Sequence, residues 1–130
     1  MMRIALDTNR YVDLARGDAE LREFLERADA VVLPFVVIAE LRAGFVVGTR
    51  GKQNEAALQK FLATQGVSVV FASEATTHHY ARLYRQLRDQ GTPIPTNDLW
   101  IAALVVEHNL ELCTRDAHFD ALPQLPRQTP

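Results

Sequence analysis

Short apolar runs alternate with longer segments of helical spacing along the whole chain, and this alternation limits the possible folds more than any other feature. Runs that are rich in aliphatic residues and bounded by polar or glycine-containing turns predict buried strands. They lie at residues 3–6, 31–33, 67–71 and 110–113. Because a helical segment separates each strand from the next, we expect parallel strands joined by right-handed crossovers, and hence a three-layer α/β/α sandwich.

The segments between the strands predict helices. Residues 35–47 combine helical length with β-branched residues that favour a strand, and we interpret them as a helix. Residues 48–54 are predicted to be a loop, followed by a helix that ends at Gly66. The longest helix is predicted at residues 73–90, and residues 97–108 are apolar on all sides and therefore predict a buried helix. The core face of the longest helix is predicted to carry Tyr80, Leu83, Tyr84 and Leu87.

Length and charge place the chain among ordinary globular proteins. Its 130 residues predict a single domain spanning 1–130, in which residues 123–130 form a proline-rich, extended tail that does not pair with the sheet. A net charge of −2 argues against a uniformly basic surface for nucleic acid, although a local basic patch is compatible with it. No apolar run is long enough to cross a membrane, no signal peptide opens the chain, and the single Cys113 suits a reducing compartment, so we expect a cytoplasmic protein.

Four acidic residues stand at positions that point to one cleft. Asp7 and Asp116 come just after the first and the fourth predicted strand, so both should emerge at the edge of a parallel sheet where ligands bind. Glu40 has apolar neighbours one helical turn away on either side, which makes a purely solvated carboxylate hard to arrange. Asp98 lies in the first turn of the buried helix, with Thr96 as the expected cap, and should face the adjoining cleft.

Each of these acids also has a structural interpretation on its own, as a turn former, a helix cap or an exposed helix residue. Carboxylates that meet in one cleft raise one another's pKa unless a cation lies among them, and their hard oxygen atoms select Mg²⁺ or Mn²⁺. A site of that kind activates water for attack on a phosphodiester. Taken together, the four acids therefore predict a divalent-metal site.

Four motifs that contain these acids resemble those of the PIN-domain family, particularly the VapC-type ribonuclease toxins of bacterial and archaeal toxin–antitoxin pairs. The motifs are LDTN at 6–9, AEL at 39–41, NDLWIAA at 97–103 and TRDAHF at 114–119. The resemblance implies a Rossmann-like PIN domain and a Mg²⁺- or Mn²⁺-dependent endoribonuclease whose products carry 5′-phosphate and 3′-hydroxyl ends. It further implies that the metal-binding and catalytic residues are Asp7, Glu40, Asp98 and Asp116.

Five neighbouring polar residues belong to the same prediction. Thr8 and Asn9 match polar residues of the family that orient the first Asp or bind substrate, and Thr114 matches a hydroxyl residue near the last acid. Asn97 either contacts substrate or helps to cap its helix. RNA needs cationic side chains beside an acidic cleft, and Arg115 is the candidate that adjoins one of the four acids.

Three further positions carry expectations. Similar sequences often have Ser or Thr where this chain has Pro34, so the helix that carries Glu40 should lack a hydroxyl cap. The four histidines do not have the spacing of a metal motif, and His118, although it lies within TRDAHF, is not assigned a catalytic role. Trp100 is predicted to belong to the core rather than to a surface that stacks on bases.

The resemblance implies an RNA substrate, a cognate antitoxin protein and a homodimer. Segment 35–47 contains more apolar residues than one helical stripe needs, and they offer a surface for a second subunit or an antitoxin. An antitoxin bound there is expected to extend an Arg or Lys to the carboxylates. The apolar residues are Phe35, Val36, Phe45, Val46 and Val47.

Two alternatives within the family are an RNA-processing nuclease without an antitoxin and a module that only binds RNA or protein. A phosphoryl-accepting receiver domain has the same alternating architecture, but its acceptor Asp would follow the third strand, where this chain has Ala72 and Ser73. The dehalogenase type of phosphatase is excluded because Asn9 stands where its second Asp would be.

Overall fold

The computed structural model describes residues 1–130 and contains one parallel sheet of five strands. The strands are β1 (Arg3–Leu6), β2 (Ala30–Pro34), β3 (Val67–Val70), β4 (Glu111–Cys113) and β5 (Arg127–Gln128). Their order across the sheet is β3-β2-β1-β4-β5, and every neighbouring pair is parallel. From β1 the order runs to β2 and β3 on one side and to β4 and β5 on the other. The crevice in which such sheets bind ligands lies between β1 and β4, where the order reverses.

Six α-helices and one short 3₁₀ helix (Ala117–Ala121) connect the strands. The α-helices are α1 (Thr8–Ala15), α2 (Ala19–Glu26), α3 (Phe35–Val47), α4 (Gly51–Leu62), α5 (Glu74–Gln90) and α6 (Thr96–Glu107). Helix α5 packs along α6, while α3 packs against α1 and α4. The predicted three-layer α/β/α sandwich is confirmed. No helix combines the length and the apolar character needed to cross a membrane.

The core surrounds the two central strands and α6. Ile4, Ala5 and Leu6 of β1 are completely buried, as expected for a strand that has neighbours on both sides and helices on its faces. Most of α6 is buried as well, which confirms the prediction drawn from its continuous apolar sequence. The 3₁₀ helix is fixed to this core by Phe119, whose side chain is fully buried.

The predicted loop at residues 48–54 is too long. Helix α4 begins at Gly51 and ends at Leu62, well before Gly66. The first turn of this helix consists of glycine and polar residues, and only Leu58 is buried. The first turn therefore lacks the apolar spacing that indicates a helix. Gly66 instead adopts a φ of +85° immediately before β3, a conformation that glycine accepts without strain.

The prediction of an unpaired C-terminal tail is wrong. Arg127 pairs with Leu112 and Gln128 with Cys113, so residues within the tail form the edge strand β5. The N–H of Leu112 also donates to the carbonyl of Pro126 at 2.8 Å. A proline removes only its own N–H from the ladder, and an edge strand tolerates that loss.

One predicted face of α5 is also wrong in part. Leu83 and Leu87 are buried, but Tyr84 is 53% exposed, and Thr76, which was not predicted to face the core, is fully buried. The line of α5 that contacts α6 therefore runs through Thr76, whose hydroxyl contacts Glu107 of α6. Tyr80 is half-buried because its ring packs against that of Trp100, with ring centroids 4.5 Å apart.

Candidate metal and active site

The site is built where β1 and β4 end side by side. Leu6 pairs with Cys113 in the parallel ladder, and the N–H of Asp7 donates to the carbonyl of Cys113 at 3.0 Å. Asp7 and Thr114 therefore leave the sheet at the same level. This pairing confirms the prediction that Asp7 and the residues after β4 emerge at one edge of the sheet.

Asp7 is a buried carboxylate held by two hydroxyl-bearing residues. Its Oδ1 accepts from the N–H of Thr8 at 2.8 Å, and its Oδ2 accepts from the hydroxyl of Thr114 at 2.6 Å. Burial is the main cause that raises the pKa of Asp7; the two hydrogen bonds lower it, and the negative charges of Asp98 and Glu40 raise it further. Because only 4% of Asp7 is exposed, the ionised form lacks the solvation that water would give it.

Glu40 projects from α3 toward the same place. Its Oε1 accepts from the hydroxyl of Thr8 at 2.8 Å, so Thr8 contacts two of the four predicted acids. Helix α3 starts after Pro34 and has no side-chain cap, as the sequence predicts. Glu40 is half-buried, and its charge reaches both Asp7 and Asp98 strongly enough to raise their pKa values.

Asp98 is the third residue of α6 and is buried, with 8% exposure. The expected cap at Thr96 is wrong: Pro95 precedes the helix, Thr96 is its first residue, and no side chain caps it. Burial raises the pKa of Asp98 most, the hydrogen bond to His118 lowers it, and the charges of Asp116 and Glu40 raise it. A carboxylate in this first turn is favoured by the helix dipole.

Asp116 is positioned by the turn that follows β4. Its N–H donates to the Thr114 hydroxyl at 3.0 Å, while its own Oδ1 accepts from the N–H of His118 at 2.9 Å and caps the 3₁₀ helix. Thr114 thus contacts Asp7 with its proton and Asp116 with its oxygen lone pair. We call Asp7, Glu40, Asp98 and Asp116 the carboxylate cluster.

His118 is the residue near the carboxylate cluster that the sequence interpretation missed. Its Nδ1 lies 2.8 Å from Oδ2 of Asp98 and 3.0 Å from Oδ1 of Asp116. These two carboxylates raise the pKa of His118, the hydrogen bond to Asp98 being the largest cause. The signal available in the sequence was its place two residues after Asp116, which is the span of one Asx-type turn.

Asn9 and Arg115 have structural partners. The Asn9 side chain accepts from the N–H of Arg115 at 3.2 Å and so links α1 to the turn that carries Asp116. The Arg115 guanidinium forms two hydrogen bonds with Asp13, at 2.7 and 3.0 Å, and Asp13 also binds Arg10 at 2.9 Å. We call Arg10, Asp13 and Arg115 the Asp13 cluster.

Asn97 and Trp100 lie on the first turns of α6 with different surroundings. Asn97 is exposed and does not cap the helix, so the structural alternative of a cap does not apply. Trp100 is half-buried between Tyr80 and Phe35, with ring centroids 4.5 and 6.3 Å away, and packs as part of the hydrophobic core as predicted.

Three donor atoms lie close enough together to hold one divalent cation. One potential ligand atom from each of Asp98, Asp116 and His118 lies within 4.8 Å of the others. The buried carboxylates Asp7 and Asp98 both have a raised pKa, and neither contacts an Arg or Lys. A cation among them would relieve the repulsion that raises those pKa values.

Known proteins resemble this chain over most of its length. The PIN domain family model matches residues 4–125. Ribonuclease VapC1 of Haemophilus influenzae is 33% identical over 115 residues, which make up 85% of this chain and 84% of that protein. The solved structure of VapBC-1 from nontypeable Haemophilus influenzae has a TM-score of 0.86 at 29% identity, and the match covers 98% of this chain and 97% of that chain. VapBC2 from Rickettsia felis, solved with a DNA fragment from its promoter, has a TM-score of 0.84 at 27% identity over 98% of both chains.

Proposed function

The chain belongs to the PIN-domain family, and from that premise we propose that it is a Mg²⁺- or Mn²⁺-dependent endoribonuclease that acts as the toxin of a toxin–antitoxin pair. The observation that carries the proposal is the carboxylate cluster itself. Two of its acids are buried, have raised pKa values and have no Arg or Lys partner. Buried acids without a cationic partner do not stabilise the fold. Such acids are expected where a cation binds.

The residues proposed to hold the ion are Asp7, Asp98 and Asp116, with Glu40 beside them. A divalent cation bound to oxygen ligands lowers the pKa of a bound water and offsets negative charge on a phosphodiester. The Thr114 hydroxyl keeps the Asp7 carboxylate oriented by its 2.6 Å hydrogen bond. Because that hydrogen bond and the Thr8 N–H favour the ionised form, they keep Asp7 available as an anionic ligand.

Glu40 is proposed to accept the proton from the attacking water. It is less buried than Asp7 or Asp98, so its protonated form can exchange with solvent between turnovers. Thr8 orients its carboxylate through the 2.8 Å hydrogen bond and does not neutralise it. The polar residues Asn9 and Asn97 remain proposed contacts for RNA, and Arg115 can contribute its positive charge to the phosphate backbone while staying paired with Asp13.

The direct experiment is cleavage of a single-stranded RNA by the purified protein. We expect cleavage with Mg²⁺ or Mn²⁺, none after chelation by EDTA, and products with 5′-phosphate and 3′-hydroxyl ends. Products with 5′-hydroxyl and 3′-phosphate ends, or cleavage that continues in EDTA, would contradict the proposed chemistry. The control is protein that is incubated with EDTA and then returned to Mg²⁺. Its cleavage activity should return, which shows that EDTA acts by removing the metal.

We also propose a homodimer and a cognate antitoxin as partners. VapBC-1 and VapBC2 carry the name of the VapBC family of toxin–antitoxin systems, and the end of α3 in this chain exposes Val46 to 84% and Val47 to 86%. Of the other residues predicted for this surface, Val36 is buried and belongs to the core, while Phe35 and Phe45 are half-buried. The available surface is therefore smaller than the sequence predicts and is centred on the end of α3.

A groove beside those valines offers room for a partner segment. It has a volume of about 630 Å³ and is lined by residues of α3 and α4, among them Phe45, Val46 and Ala56, but by none of the carboxylate cluster. An antitoxin that lies in this groove would need a further segment to carry an Arg or Lys to the carboxylates. Sedimentation of the chain alone tests the homodimer, and competition between an antitoxin and Mn²⁺ tests the second segment.

A further inference from the structure

The ring of His118 faces the carboxylate cluster, and its position is fixed by the chain on both sides. Its backbone N–H donates to Asp116, and the next residue, Phe119, is fully buried in the core. The imidazole is still half exposed, with 51% of its side chain accessible, so one ring nitrogen meets carboxylates while the rest of the ring reaches solvent. This arrangement differs from that of His78, which is exposed on α5 without an acidic contact.

The distances around Nδ1 are those expected between neighbouring ligands of one ion. Nδ1 lies 2.8 Å from Asp98 Oδ2 and 3.0 Å from Asp116 Oδ1. In octahedral coordination with metal–oxygen distances of about 2.1 Å, adjacent ligand atoms are about 3 Å apart. The same three residues are those whose donor atoms lie within 4.8 Å of one another. All three would bind one cation after small shifts of the donor atoms and release to solvent of the proton that Nδ1 donates to Asp98.

We propose that His118 supplies a nitrogen ligand to the ion at this site and thereby makes the site prefer Mn²⁺ to Mg²⁺. This rests on the proposed function, because it assumes that the carboxylate cluster binds the ion. Mg²⁺ takes oxygen ligands almost exclusively, whereas imidazole binds transition metals, and affinities rise from Mn²⁺ onward across the first row. A site with one nitrogen among its carboxylates therefore distinguishes two ions of equal charge.

The test measures the dissociation constants of Mn²⁺ and Mg²⁺ for the whole protein by calorimetry, without RNA. We compare the wild type with His118→Ala, which removes the ring, and His118→Asn, whose amide keeps a hydrogen-bond donor near the place of Nδ1. If His118 is a ligand, both variants weaken Mn²⁺ binding by about tenfold or more and Mg²⁺ binding by clearly less. Electron spin-echo spectroscopy of bound Mn²⁺ should show imidazole nitrogen in the wild type and none in either variant.

Two other variants separate this inference from the proposed function. His78→Ala, the matched control, should leave both dissociation constants and the nitrogen signal unchanged. Asp98→Asn should weaken both ions, and if it does not, the proposed metal site is wrong. If Asp98→Asn weakens both but His118→Asn binds Mn²⁺ like the wild type, or if the ratio of the two affinities is the same with and without the ring, His118 only positions the carboxylates and the inference is overturned. Thermal melts of the metal-free variants establish that they fold.

Discussion

The Asp13 cluster and the carboxylate cluster lie on the two sides of a single peptide bond, that between Arg115 and Asp116. In the first, two guanidinium groups bind one carboxylate, and the hydrogen bond from Arg115 is the main cause that lowers the pKa of Asp13. In the second, burial and neighbouring acids raise the pKa values of Asp7 and Asp98. Acids of the same type therefore differ in pKa because of their burial and their partners, and only the second cluster has negative charge left to bind an ion.

This contrast has a simple functional meaning. In the Asp13 cluster, ion pairs of 2.7–3.0 Å balance the charge of the carboxylate. Its role is therefore to hold the turn after β4 against α1. The carboxylate cluster is satisfied only in part, by threonine hydroxyls and by His118. Substitutions in the first should change stability and those in the second should change activity. The following predictions test that division.

The largest expected effect is that of Asp98→Asn on RNA cleavage. Loss of one anionic ligand should lower the rate by about a hundredfold or more, and Mg²⁺ should raise the melting temperature less than in the wild type. The metal-free variant should melt no lower than the wild type, because the amide removes repulsion among the acids. Cleavage assays and thermal melts with and without Mg²⁺ measure both effects.

Asp89→Asn is the matched control for that substitution. Asp89 is exposed on α5, and its contact with Arg85 is a surface ion pair of 3.7 Å. Cleavage and melting should both stay at wild-type values, since such pairs contribute little. If Asp98→Asn cleaves at the wild-type rate, the division between the two clusters fails.

Thr114→Val should affect both activity and stability, since the Thr114 hydroxyl contacts two acids of the carboxylate cluster. Removing it leaves the buried Asp7 without its 2.6 Å donor, which should lower the free energy of unfolding by about 1–3 kcal/mol. Cleavage should fall by about tenfold or more because the ligand loses its orientation. Urea unfolding and cleavage assays provide the measurements, and Thr114→Ser should restore both. If Thr114→Ser loses as much cleavage and stability as Thr114→Val, the methyl group of Thr114 matters and not its hydroxyl.

Asp13→Asn should have a smaller effect, and on stability alone. The exposed ion pair with Arg115 contributes little. Arg10 is buried, but it keeps its hydrogen bond to the carbonyl of Pro130 and gains an amide acceptor at position 13, so the free energy of unfolding should fall by only about 1 kcal/mol. The dissociation constant for Mn²⁺ should stay within about twofold of the wild type, because Asp13 lies outside the metal site. A tenfold loss of Mn²⁺ affinity would show that the two clusters act as one unit.

The smallest effect is the dependence of stability on pH in the metal-free protein. The pKa values of Asp7 and Asp98 are raised from 3.8, so their contribution is present at low pH and is lost as the pH rises through the raised values. His118 is raised from 6.5 and acts in the same direction at higher pH. The melting temperature in EDTA should therefore decrease as the pH rises above about 4 and should go on decreasing beyond 6.5, and excess Mg²⁺ should flatten or reverse that slope.

Asp13 has the opposite sign. Its pKa is lowered from 3.8, so its contribution is present above that value and is lost as the pH falls through the lowered one. Asp13→Asn should thus leave the slope above about pH 4 as it is in the wild type, whereas Asp98→Asn should reduce it. The same slope in all three proteins would contradict the assignment of that dependence to the carboxylate cluster.

Much of the sheet and the identity of the acids could be predicted from the sequence. The four predicted strands are all present, since a buried parallel strand is a short continuous apolar run whatever surrounds it. Asp7 and Asp116 could be placed at one edge because they follow parallel strands. The start of α4 at Gly51 could not be found, because its first turn is polar and carries no apolar period.

The sequence by itself determined where the buried strands lie and at which edge of the sheet the acids emerge, because apolar runs are properties of short segments and parallel strands end at one edge. Only the tertiary structure decided the pairings across the chain. It placed β5 beside β4, bound Arg115 to Asp13 over 102 residues of separation, and brought His118 to Asp98 over 20. Such contacts depend on where separate elements meet in space, and no local pattern encodes that. For this reason Arg115, which was expected to be free for RNA, is held by Asp13, and His118, which was assigned no catalytic role, lies among the proposed ligands.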